Sequence, residues 1–150
     1  MKKWMTVVLA LFCVLSMAGC DHTEQEVLTY SFRGEHEYFA ISNGSIVLSD
    51  AEEVFEGGNL EIVQPEPFTE VASYSTTFYT MKNGERNVIM SNSIIDKTGG
   101  TVNINGSLGR VSGTNLFGMA NREVDNLWIE LEITDLSGAE NVYQLQLTLN

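Results

Sequence analysis

An all-β domain of two packed antiparallel sheets, with about seven to nine strands, is what this sequence predicts, and three observations predict it. From Val27 onward apolar and polar residues alternate with a period of two, the alternating runs are short and rich in Val, Ile, Thr, Tyr and Phe, and Gly or Asn interrupts them at regular intervals. Helical periodicity is nearly absent.

The first run sets Leu28, Tyr30 and Phe32 against Thr29, Ser31 and Arg33. Phe39 and Ile41 begin a second, and Asn43-Gly44 then reads as a hairpin turn into Ile46 and Leu48, because both central positions of the favoured two-residue turn need positive φ. Ser49-Asp50-Ala51-Glu52 matches a capping box with Gly57 as a stop, so one helical turn is expected there. Leu60 and Ile62 form a short strand. Pro65-Glu66-Pro67 cannot donate to a ladder through its prolines and suits a crossing between sheets. The longest alternation runs from Val71 to Met81, with Tyr74 and Phe78 on one face and Tyr79 and Met81 on the other. Asn83-Gly84 turns it into Val88, Ile89 and Met90. Gly99-Gly100 and Asn105-Gly106, the latter read as a further hairpin turn, bracket Val102 and Ile104, and the Gly-rich stretch from Gly106 to Gly118 reads as an irregular edge. Leu127, Ile129, Leu131 and Ile133 alternate with Trp128, Glu130, Glu132 and Thr134; after Ser137-Gly138 a final strand sets Tyr143, Leu145, Leu147 and Leu149 against Gln144, Gln146 and Thr148.

Strands of this number and spacing suit an immunoglobulin-like β-sandwich, with a small closed β-barrel as the alternative.

Ahead of this pattern stand Lys2 and Lys3, a mostly apolar run from Trp4 to Val14, and Met17-Ala18-Gly19-Cys20. That is the layout of a secretory signal, too short to span a ~30 Å hydrocarbon core. Met17-Ala18-Gly19-Cys20 resembles a bacterial lipobox, although most carry Leu where Met17 stands. The resemblance implies that residues 1–19 are removed and that Cys20 receives a diacylglycerol thioether. Residues 20–26 then form a lipidated acidic tether, and 27–150 a single domain.

With the leader removed, 131 of 150 residues remain, carrying six Lys and Arg against twenty Asp and Glu, a formal charge of −14. This excludes nucleic acid as a partner, because phosphate binding rests on clustered cations that displace counterions. Adhesion to anionic lipid heads is excluded on the same ground, so the membrane is reached through the lipid on Cys20. Cys13 lies in the leader and Cys20 at the lipobox, which leaves the domain without a thiol for disulfide, nucleophile or metal.

The order of parts, a lipobox, an acidic tether, the turn Gly34-Glu35-His36-Glu37-Tyr38 and a terminal amphipathic hairpin, resembles small surface lipoproteins of Gram-positive bacteria with mostly unassigned roles. Tyr38 and Phe39 stand where that family often has Trp.

No catalytic residue emerges from the sequence. His22 falls in the tether, and His36 sits between Glu35 and Glu37 as a solvated turn residue. Lys97-Thr98-Gly99 lacks the companion motifs of penicillin-recognising enzymes. Glu130 and Glu132 share one open strand face and lack the cleft that a glycosidase pair needs. Asp50, Glu52, Glu53 and Glu56 form the densest acidic group and a weak calcium candidate, but the spacing fails the EF-hand pattern and a solvated acidic turn explains it better. No cofactor is expected. Trp128 falls on the polar face of its strand, which marks it as a contact for a protein or glycan partner, unless a loop or the Tyr38-Phe39 segment covers it.

The expectation is a non-enzymatic binding or structural module on the outer face of the cell membrane. Its partner would be an envelope or extracellular protein or a wall polymer. The alternative is an inhibitor or immunity-type lipoprotein whose negative charge speeds capture of a basic extracellular enzyme or toxin.

Overall fold

A computed structural model describes residues 26–118 and 124–150. The leader, Cys20 and the tether as far as Gln25 lie outside these residues. Among the described residues no helix is long and apolar enough to cross a membrane.

The antiparallel β-sandwich forms as expected, in two open sheets and not as a closed barrel. Its strands are β1 (Leu28–Glu35), β2 (Phe39–Leu48), β3 (Glu53–Glu56), β4 (Asn59–Ile62), β5 (Val71–Lys82), β6 (Glu85–Ile95), β7 (Gly106–Ser107), β8 (Arg110–Gly113), β9 (Leu127–Asp135), β10 (Glu140–Gln146) and β11 (Thr148–Leu149). The large sheet runs β11-β1-β2-β3-β8, with β4 and β7 joined through β2; the small sheet runs β10-β9-β5-β6. Eleven strands among the described residues exceed the expected seven to nine, because several pieces of two to four residues pair only with distant segments.

Between the sheets lies a core whose central contacts are aromatic. Phe32 of β1 stacks on Phe55 of β3 with centroids 5.3 Å apart, and Phe78 of β5 meets Phe55 edge-on at 4.9 Å. Leu127, Ile129, Leu131 and Ile133 on β9 are buried, as period-two reading required. The two-proline segment crosses from the large sheet to the small one through a 3₁₀ turn at Glu66–Phe68.

Four local expectations are corrected. Asn43-Gly44 does not turn the chain: it lies inside β2, where Asn43 has φ 57° and the β1–β2 register slips between Phe32 and Gly34. This is a bulge, and it divides β2 into a half paired with β4 and a half paired with β3. The ring of Phe32 fills the space where a Cβ at residue 44 would stand, so only glycine fits. Second, the Ser49 hydroxyl accepts from the Glu52 N–H at 3.0 Å, but the turn leads into β3 and not into a helix. Third, Asn105-Gly106 is no hairpin turn; Asn105 Oδ1 accepts from the Ile62 N–H at 2.8 Å and Gly106 opens β7 against β4. Fourth, the final strand divides at buried Leu147: β10 pairs with β9 in the small sheet, and β11 pairs with β1 in the large one. By contrast, Asn83 (φ 53°) and Gly84 (φ 82°) join β5 to β6 in the expected two-residue turn.

Candidate functional site

Because successive side chains of a strand point to opposite faces, the register of the small sheet arranges its outer face in rows. One row crosses the four strands as Gln146, Trp128, Tyr79 and Val88; the next as Gln144, Glu130, Thr77 and Ser91; the third as Val142, Glu132, Ser75 and Ser93. Trp128 is half-buried between its neighbours Tyr79 and Gln146. The Tyr38-Phe39 segment does not cover it. Those two rings pack on His36 and on Tyr143, which belongs to the opposite face of β10.

A side-chain network ties the four strands together beside Trp128. Arg86, at the start of β6, lays its guanidinium 3.9 Å above the ring of Tyr79 on β5. It then donates two hydrogen bonds, at 2.9 and 3.1 Å, to the carboxylate of Glu130 on β9. Gln144 on β10 donates to the same carboxylate at 2.7 Å. A forked Arg–carboxylate pair fixes orientation as well as charge. Hydrogen bonds from Arg86 and then Gln144 hold the Glu130 carboxyl below its usual range, and the bond to Glu130 raises Arg86. Burial pushes the Tyr79 phenol up. Gln146 extends the network by donating to Asn126 at 3.3 Å. Arg86 and Asn126 also border a groove of 590 Å³ whose walls include Met81, Asn83, Asn87 and Phe117.

The acidic candidates do not converge. Glu53 and Glu56 stand three residues apart on β3 and so point to opposite faces. Glu53 accepts from the Phe117 N–H at 3.2 Å, while Glu56 pairs with Arg110 at 3.6 Å and accepts from the Ser45 hydroxyl at 3.3 Å. Glu52 remains in the Ser49 turn. Among the described residues no three His, Cys, Asp or Glu side chains gather as a metal site. His36 is part of a packed turn: its Nδ1 accepts from the Tyr38 N–H at 3.3 Å and its ring stacks on Phe39 at 4.8 Å.

Sequence reading placed Trp128, Glu130 and Gln144 on polar strand faces but missed Arg86 and Tyr79 as their partners. The Asn83-Gly84 turn fixes how β6 lies on β5; nothing local announces that β5 lies beside β9. The register thus holds polar, planar groups around an indole on one open face. No protein-family model, curated protein or solved structure matches the chain.

Proposed function

We propose that this chain is a non-enzymatic binding module, held at the outer face of the cell membrane by lipid on Cys20, whose contact surface is the outer face of the small sheet. The observation that carries the reading is Trp128 beside the Arg86–Glu130–Gln144 network, where side chains of long, entropically free types are already ordered. Ordering them before contact lowers the entropic cost of binding. The lipid reading rests on the leader and on Met17-Ala18-Gly19-Cys20. Cross-linking in intact cells tests the surface: Trp128→Ala is expected to lose captured envelope partners, and unchanged capture of all of them overturns it. Cys20→Ala is expected to move the protein from the detergent to the aqueous layer of a phase split.

A second reading, capture of a basic extracellular enzyme or toxin, is favoured by the charge of the chain, twenty Asp and Glu against eight Lys and Arg. Association with a cationic protein would slow steeply with added salt; an on-rate indifferent to salt rejects this reading.

A further inference from the structure

Resting on the outer face of the small sheet as the contact surface, we infer that its ligand is a neutral polysaccharide strand, stacked on Trp128 and hydrogen-bonded by Gln144, Gln146 and the Arg86–Glu130 pair.

Charge argues for a neutral ligand. In a chain of net charge −12, this face carries Arg86 and Glu130 locked against each other, with Glu132 the other carboxylate of the three rows. Its remaining positions are amides and hydroxyls, Gln144, Gln146, Ser75, Thr77, Ser91 and Ser93, with Val88 and Val142 at the two edges. An anionic polymer meets a chain of its own sign, and a cationic one finds Glu132 as the only carboxylate of these rows not tied to Arg86.

Chemistry then selects sugar among neutral polymers. A pyranose ring presents a C–H face, which suits the negative face of an indole, and a rim of hydroxyls, each both donor and acceptor. Gln144 spends one N–H on Glu130 and keeps its carbonyl oxygen for a ligand; Arg86 commits two of its five N–H groups. Shape agrees as well. Four strands at ~4.8 Å spacing give a platform ~14 Å across, which accepts an extended oligosaccharide and needs no enclosing pocket.

Intrinsic fluorescence tests this directly, because Trp4 lies in the leader and Trp128 is the other tryptophan of the chain. The full chain, purified from membranes in detergent, is titrated with chitohexaose and with cellohexaose, using Trp128→Phe as the blank. A saturable change in emission is expected with at least one, unaffected by salt. Gln144→Ala and Arg86→Lys, each checked for an unchanged far-ultraviolet circular dichroism spectrum, are expected to weaken it about tenfold. No saturable change with either sugar overturns the inference, as does binding of equal strength in both variants. If cross-linking still captures a protein through Trp128 while neither sugar binds, the glycan inference alone falls; if Trp128→Ala also leaves capture intact, the surface falls with it.

Discussion

The small sheet is built from four strands of seven to twelve residues, each lying along its neighbour for most of its length, whereas the large sheet assembles seven from pieces that shrink to four and two residues. Long strands give continuous rows of side chains, and so the small sheet can hold a network across its whole width. The large sheet also carries rows across four strands, Ser31, Ser45, Glu56 and Arg110 among them, but the Asn43-Gly44 bulge divides β2 and confines them to the half paired with β3. The small sheet has a register shift of its own, between Phe78 and Tyr79, and its long strands carry the rows on past it.

Four substitutions would break or sharpen that contrast. The largest effect is expected from Phe78→Ala, since this fully buried ring is where the small sheet meets Phe32 and Phe55 of the large one. A loss of about 3–5 kcal/mol is expected from denaturant unfolding, and a loss under about 1 kcal/mol would deny that the two sheets share one core. Next, Gly44→Ala drives a methyl group into the Phe32 ring and should cost about 1–3 kcal/mol. Gly84→Ala, in the β5–β6 turn with open space around it but φ 82°, should cost about 1 kcal/mol. If the order of the two glycine variants is reversed, the bulge is not the more constrained site.

The smallest effect belongs to the Arg86–Glu130 pair. Since the folded state lowers the Glu130 pKa, the stability it contributes is fully present above the ordinary Glu range near ~4.3 and is lost as pH falls through the folded value. Arg86 stays charged throughout this range. At pH 7 Glu130→Gln should therefore cost no more than about 1 kcal/mol, because both side chains keep contact with water, and the cost should shrink toward zero in acid. A penalty that is the same at pH 7 and at pH 2 would show that the carboxylate charge is not what holds the network.

Legibility in the sequence followed the range of the interactions. β5, β6 and β9 were readable because alternation and the Asn83-Gly84 turn are local signals. β7, β8 and β11 were not, for each is held by partners far along the chain and is too short to show a period, and β3, though paired with neighbouring β2, has only four residues. Asn43-Gly44 misled because a hairpin turn and a bulge ask the same backbone freedom of Asn; what decided between them was Phe32, a residue on another strand. Ser49 and Glu52 made the hydrogen bond of a capping box, yet the residues that follow gain more by pairing with β2 and β8 than by coiling. At the site, Trp128 and Glu130 could be placed on a polar face from alternation alone. Arg86 could not be joined to them, since that contact depends on β5 lying between β6 and β9.

The division of the last strand at Leu147 bears on how the chain reaches its final shape. Thr148 and Leu149 complete the neighbourhood of β1, far back along the chain, while Glu140–Gln146 complete that of β9. The large sheet is therefore not whole until β11 reaches β1, whereas the small sheet is complete within Val71–Gln146. Such long loop closures slow folding.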